Sequence, residues 1–377
     1  MTKIPLIKPD LPAFETVQEP FREILENGKI TNFGKYVTTF EQEAGDYLGT
    51  QVVTTSSGTM GLILTLQALG LTPGQKVILP SFTFMATAQA VLFAGGVPVF
   101  AECEDDLTLS PADVATLLAQ HEDVAIVMPV HTYGLPCRVD DIQTIVDQAV
   151  GRRCRQIAVL YDAAHAFGSA LNNRRVGGFG SAEVFSLSVT KALVSVEGGM
   201  VSSRDPEIIR RIRKMRNYGI EDNYDAHWRG VNSKMSEFHA IIGLHNLRHL
   251  DARLEERQTN ARYFLDHIQQ QTTFETLPWN SNVRHTFKDF TVLVPEAGAT
   301  QRDAVIQFLK ERGIETRPYF FPPVHEQTYF RRFADRPLPR TEALSRRVIT
   351  LPFYTSITNE EMDCVVEALR DAERQLL

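Results

Sequence analysis

An alternation along the first two thirds of the chain constrains its fold most. Short β-branched runs, apolar on both faces, take turns with stretches of helical character. The runs are residues 51–55, 76–79, 97–101, 124–130, 157–161, 184–187 and 199–203, and residues 59–69, 83–93, 111–119 and 139–150 read as helices between them. Strands buried on both faces need helices over both. The order therefore predicts a mostly parallel sheet with helical crossovers. Right-handed crossovers make this a three-layer α/β domain.

The pattern changes near Pro206. Residues 208–216 and 236–251 read as helices, and the charged run 251–262 extends the second into a connection between domains. Residues 287–294 and 313–318 look like strands of a smaller C-terminal α+β domain, with a helix at 300–312 between them and a closing helix at 359–376. The expected division is a large α/β domain over 1–250 and a small α+β domain over 251–377. A chain of 377 residues suits two such units.

Composition narrows the function. The formal net charge is -7 and no basic stripe is present, which argues against nucleic acid and against anionic membranes as partners. Cys103, Cys137, Cys154 and Cys364 show no C-x-x-C spacing, so no metal site is expected and free thiols in a reducing compartment are. The first twelve residues hold no apolar signal-like core, and no run approaches the roughly 20 residues that span a bilayer. The expected address is the cytoplasm.

Three segments carry chemistry. Thr54-Thr55-Ser56-Ser57-Gly58-Thr59 leaves a strand and opens a helix, where free N–H groups, hydroxyls and the helix dipole converge. That makes a phosphate cradle, although Ser and Thr also stand at such places simply as caps. The strand 157–161 leads into Asp162, and ligands of open α/β sheets sit beyond such strand ends. Asp162 could equally cap the next turn. One strand further on, Phe185-Ser186-Leu187-Ser188-Val189-Thr190-Lys191 runs from an apolar strand through a hydroxyl-rich turn to a lysine. Most lysines are solvated surface charges. Lys191 differs in falling at the same sheet edge as the cradle and the carboxylate. Pyridoxal phosphate (PLP) needs all three: a phosphate cradle, an acid beside its ring nitrogen and a lysine for its aldehyde.

The sequence resembles the DegT/DnrJ/EryC1/StrS sugar aminotransferases, PLP enzymes of fold type I with aspartate aminotransferase-like architecture. The matching stretches are Ser57-Gly58-Thr59, Pro80-Ser81-Phe82-Thr83-Phe84, Pro129-Val130-His131, Asp162-Ala163-Ala164-His165-Ala166-Phe167-Gly168, Phe185-Ser186, Thr190-Lys191, Glu197-Gly198-Gly199, Asn232-Ser233-Lys234-Met235-Ser236-Glu237 and Leu351-Pro352. The resemblance implies that Lys191 carries PLP as a Schiff base and that Asp162 pairs with the pyridine nitrogen. His165, where many relatives have Gln, would lie near the ring hydroxyl. Phe84 and Ala164 would cover the two ring faces. Gly58, Thr59 and Ser186 would hold the phosphate. Asn232 would reach the phosphate of a neighbouring subunit, which implies a homodimer with shared sites. His325, Tyr319 and Arg229 are candidates to line the substrate site.

Some relatives carry His at the lysine position and remove a hydroxyl, so Lys191 favours transamination. The implied cycle moves an amino group from glutamate to a nucleotide-linked keto sugar, with pyridoxamine phosphate as the intermediate form of the cofactor. Ala192-Leu193-Val194-Ser195-Val196-Glu197 lacks the Thr-Gly that often precedes Glu-Gly-Gly. That variant, together with Tyr161-Asp162-Ala163-Ala164-His165 and Lys234-Met235-Ser236-Glu237, resembles members acting on nucleotide-linked 4-keto-6-deoxy sugars, which implies a dTDP-4-keto-6-deoxyhexose as substrate. Cyclitol-ketone and 3-keto sugar aminotransferases share every cofactor residue and stand as alternatives. So do two non-catalytic readings, a PLP-binding regulator and a nucleotide-sugar-binding protein.

Overall fold

Two helices, α1 (Phe14–Asn27) and α2 (Lys35–Leu48), precede the first strand in the computed structural model, which describes residues 3–153 and 156–377. The alternation expected from sequence follows. It runs β1 (Gln51–Thr55), α3 (Gly58–Ala68), β2 (Lys76–Pro80), α4 (Ala86–Phe93), β3 (Val97–Ala101), α5 (Pro111–Gln120), β4 (Val124–Val127), α6 (Val139–Arg153) and β5 (Ala158–Asp162). The short strands β6 (Ala170–Leu171) and β7 (Arg174–Arg175) come next, then β8 (Ala182–Ser186), β9 (Gly199–Ser203) and α7 (Pro206–Met215). Among the described residues these build a seven-stranded sheet ordered β1-β9-β8-β5-β4-β2-β3. From β8 to β3 every neighbouring pair is parallel, whereas β9 runs against both β1 and β8.

Both faces are covered, as the doubly apolar strands require. On one face Leu62 and Leu66 of α3, Val91 of α4 and Ile209 and Ile212 of α7 pack on Val184 and Val201. On the other, Val114 and Leu117 of α5 and Ile142 and Val146 of α6 pack on Val127 and Val159. Helix α7 shows why such segments fold. Ile208, Ile209, Ile212 and Met215 share its buried side, Asp205 caps its N-terminus, and Pro206 occupies its first turn. Each such side chain, fully buried, contributes roughly 1.5–3 kcal/mol. Helix α3 is apolar on all sides because it lies between the sheet and two helices. At Gly61 any Cβ would come within 2.8 Å of Val184, so the helix rests directly on β8.

Helices α8 (Glu237–Arg248) and α9 (Leu250–Gln271) follow, and His249 breaks the single helix expected over 236–251. Glu237 ties α8 to α2, its carboxylate accepting from the N–H groups of Gly34 (2.8 Å), Tyr36 (2.8 Å) and Val37 (3.2 Å). Helix α9 continues well past the charged run, over 22 residues. Leu250 and Leu254 at its start belong to the core around α2 and α8, whereas Ala261, Phe264 and Ile268 belong to the C-terminal core.

That C-terminal core surrounds a second sheet. It is built from β10 (Glu275–Thr276), β12 (Phe290–Leu293) and β13 (Val348–Leu351), and β11 (Val283–Arg284) joins β6 and β7 instead. Helices α10 (Arg302–Glu311) and α12 (Asn359–Leu376) cover it, and α11 (Pro339–Ser345) leads into β13. The expected strand at 313–318 does not form. The segment makes only isolated bridges, Ile4 with Ile314 and Arg317 with Thr350. Gly313 turns the chain at φ +79°, and Pro318 has no N–H to give a ladder. Ile4 thereby brings the N-terminal segment into the C-terminal core. Cys103, Cys137 and Cys364 are free thiols, and Cys154 lies outside the described residues. Among the described residues no helix is long and apolar enough to cross a membrane.

Candidate active site

The carboxyl ends of β5 and β8 and the start of α3 open onto one cavity of about 380 Å³. Thr55 ends β1, and two residues later Ser57 caps α3 by accepting from the Met60 N–H (3.2 Å). Gly58 and Thr59 begin the helix on the cavity wall, opposite Ser186 at the end of β8. A Cβ on Gly58 would lie 3.0 Å from the Ser186 Cβ, a tight approach that glycine avoids. The free N–H groups and positive dipole end of α3 suit a phosphate there.

Asp162 ends β5 with 5% of its surface exposed. Its Oδ2 accepts from the Thr87 hydroxyl (2.8 Å), and its Oδ1 accepts from the Ala164 N–H (3.1 Å). Burial pushes this carboxyl above the ordinary aspartate range. Those two hydrogen bonds and the charges of Lys191 and His131 pull the other way. Among the described residues no cation hydrogen-bonds this carboxylate, which is suited to receive one.

Lys191 lies in the loop after β8 and faces the same cavity. Burial brings its amine down to about 7, helped by the nearby Lys288 ammonium and opposed by Asp289, Asp162 and Glu197. His165 is held well below its usual value, first by burial and then by Lys191 and Lys288, so its ring is neutral. Its Nδ1 accepts from the Tyr133 N–H (3.1 Å). Lys288, Asp289, Tyr319 and Phe320 supply a further wall from the C-terminal part of the chain, and the Tyr133 hydroxyl donates to the Tyr319 carbonyl. Phe84 stands on the cavity wall, half exposed, 6.3 Å from the Phe320 ring.

A glycine-lined cradle, a buried carboxylate and a lysine with a readily freed amine fit pyridoxal phosphate. The family model described as the DegT/DnrJ/EryC1/StrS aminotransferase family matches residues 14–370. The chain belongs to this family.

Membership of this family makes the chain an aminotransferase, and its cavity fits pyridoxal phosphate. The chain is 28% identical to an Escherichia coli dTDP-4-amino-4,6-dideoxy-D-glucose transaminase over 95% of each chain. It is 32% identical to a UDP-N-acetyl-3-dehydro-alpha-D-glucosamine 3-aminotransferase of Acidithiobacillus ferrooxidans, over 84% of this chain and 82% of that one. Among solved structures, DesI in the presence of its TDP-sugar product superposes with a TM-score of 0.91 at 32% identity. The match covers 99% of this chain and 94% of that one.

The aminotransferase gathers Gly58, Thr59, Phe84, Asp162, Ala164, His165, Ser186, Lys191 and Tyr319 around the one cavity. It does not bring His325, Asn232 or Arg229 there. His325 is buried, with Nδ1 paired to the Ser81 hydroxyl (2.6 Å) and Nε2 to Glu342 (3.3 Å). His131 is likewise structural, stacked on Tyr161 at 5.0 Å with its Nδ1 accepting from the Cys137 N–H. Asn232 and Arg229 are exposed. Sequence reasoning missed Thr87, Phe320, Lys288 and Asp289. The signal for the last two was a pair of adjacent charges inside an otherwise apolar run.

The lowered Lys191 amine has a testable consequence. Its neutral fraction grows as pH rises through about 7, where an exposed lysine, with a value near ~10.4, stays protonated. Competitive acylation of the cofactor-free chain, read by peptide mass spectrometry, should show Lys191 becoming reactive with a midpoint near 7. A midpoint shared with the exposed lysines would contradict the desolvated site.

Proposed function

We propose that this aminotransferase moves the amino group of glutamate onto a nucleotide-linked keto sugar, a dTDP-4-keto-6-deoxyhexose. The observation that carries the reading is the meeting of Lys191, Asp162 and the Gly58 corner in one cavity. The relatives support the substrate class through what their own names state, a dTDP-4-amino sugar for one and a TDP-sugar product for another. The UDP-linked 3-aminotransferase relative keeps a 3-keto sugar as the second reading.

Each residue has a task in this reading. Gly58, Thr59 and Ser186 hold the cofactor phosphate at the start of α3. Asp162 keeps a positive charge on the ring nitrogen, since in so dry a place the carboxylate and the cation stabilise one another. Phe84 and Ala164 confine the ring, and His165 meets its hydroxyl edge as a neutral group. Pyridoxal phosphate, when bound, supplies the sink for the electrons left when the donor's Cα–H bond breaks. Lys191 anchors the cofactor. Once released, its Nζ takes the Cα proton of the donor and returns a proton in the opposite half of the cycle. A value near 7 lets that amine work in both directions at neutral pH.

The active unit in this reading is a homodimer in which Asn232 reaches the phosphate of the other subunit. Asn232 and Arg229 face outward, and the exposed apolar residues Tyr218 (50%) and Val231 (39%) stand beside the Asn217–Asn232 bridge. Phe84 (52%) and Val189 (43%), on and beside the cavity wall, are exposed as well. Such surface suits cover by a second copy. The same reading places the enzyme in the cytoplasm, which suits its free thiols.

Purified enzyme supplied with glutamate and a panel of nucleotide-linked keto sugars and cyclitol ketones is expected to aminate a dTDP-4-keto-6-deoxyhexose in preference to the others. Turnover of a 3-keto sugar or a cyclitol ketone alone would overturn the substrate assignment. The shared site is tested by mixing Lys191→Ala chains with Asn232→Asp chains, each expected to lose about 100-fold or more in kcat. A heterodimer then holds one site with both lesions and one with neither, so part of the activity should return. Heterodimers verified by a tagged pull-down and still inactive would mean that each chain completes its own site.

A further inference from the structure

We propose that Lys288, held in place by Asp289, is the subsite that binds the α-carboxylate of the amino donor. The proposal rests on the aminotransferase reading and adds a residue pair to it. Lys288 and Asp289 precede β12, and both line the cavity although only 6% and 4% exposed. They stand outside the sheet ladder, the Lys288 N–H donating to the Tyr133 carbonyl (3.0 Å). The side chains pair with one another, Lys288 Nζ to Asp289 Oδ1 at 2.7 Å, and the ammonium lies 5.7 Å from the Tyr319 ring centre.

Stability alone does not explain this placement. Taking both charges out of water costs several kcal/mol per ion, and an apolar pair of like volume would often serve the fold as well. Nor is the pair saturated. An ammonium has three donors, of which Asp289 takes one, and among the described residues the buried Oδ2 of Asp289 has no partner. Among the described residues on the cavity wall, Lys191 and Lys288 are the cations, since His165 is neutral. With Lys191 committed to the cofactor, Lys288 is the wall cation whose remaining donors, beyond the one paired with Asp289, can meet an anion.

The reaction specifies which anion. An amino acid carries a carboxylate on the carbon that bears the reacting nitrogen, so that carboxylate must come close to the Lys191 amine. Lys288 is near enough for its charge to rank next after burial in lowering that amine. In the proposed function the phosphate of the cofactor belongs at the start of α3, not at Lys288. A sugar nucleotide carries its diphosphate beyond the sugar ring, away from the reacting carbon. The donor's α-carboxylate therefore matches a buried cation beside Lys191, and a charge-assisted hydrogen bond there would fix the Cα–H toward the base.

The test uses the PLP-loaded enzyme and α-methylglutamate, which has no Cα proton and so binds without turnover. The midpoint of its visible absorbance change gives an affinity that does not depend on how much of the sample is folded. Wild type should bind α-methylglutamate at least about tenfold more tightly than its α-amide, the α-carboxylate being the only difference. Lys288→Met should weaken α-methylglutamate by about tenfold or more and remove the preference, whereas Lys288→Arg should restore most of it. A Lys288→Met midpoint within about twofold of wild type overturns the subsite and leaves the aminotransferase reading standing. Should Lys288→Met fail to load cofactor, the wild-type comparison still decides, because equal affinity for acid and amide overturns the subsite. A wild type that responds to neither ligand nor to glutamate overturns the aminotransferase reading and the subsite with it.

Discussion

Everything at this site depends on a carboxylate kept out of water at the end of β5. Burial pushes the Asp162 carboxyl up, and the Thr87 hydroxyl, the Ala164 N–H and the charges of Lys191 and His131 offset that push. In bulk water a second charge a few ångströms away would matter little. At low dielectric it governs the protonation of its neighbours. The same dryness that raises Asp162 lowers Lys191 and His165. Burial by the three-layer fold thus shifts all three groups away from their ordinary values, from residues that are ordinary elsewhere.

Much of this was legible in the sequence because it follows chain order. Gly58, Asp162, Ser186 and Lys191 each stand at or just beyond an element end bordering the cavity, and a mostly parallel sheet carries such ends to one edge. Thr87 was hidden because it meets Asp162 across the sheet. It comes from α4, which follows β2, with β4 lying between β2 and β5. His325 looked like a site residue by its proximity to Tyr319 in sequence, yet Ser81 and Glu342 occupy both its ring nitrogens. The expected strand at 313–318 gave way to isolated bridges for local reasons, a glycine with positive φ and a proline without a donor. Lys288 and Asp289 were absorbed into an expected strand over 287–294, whereas β12 begins only at Phe290.

The cavity draws on both ends of the chain. Its floor comes from the seven-stranded sheet, and Lys288, Asp289, Tyr319 and Phe320 come from the part that follows α9. The N-terminal segment enters too, since Leu6 and Ile7 lie on the cavity wall while Ile4 pairs with Ile314. In the proposed function the labour divides chemically: the large sheet would hold the cofactor, and the C-terminal wall would read what the substrate carries next to the reacting carbon.

Two amines, Lys191 and Lys288, face this cavity, and in the proposed function the covalent role falls to the first alone. Borohydride reduction of the PLP-loaded enzyme followed by peptide mapping separates them. The pyridoxyl group is expected on the peptide that contains Lys191, with Lys288 unmodified. Recovery of the label on Lys288, or on a lysine outside the cavity, would contradict it.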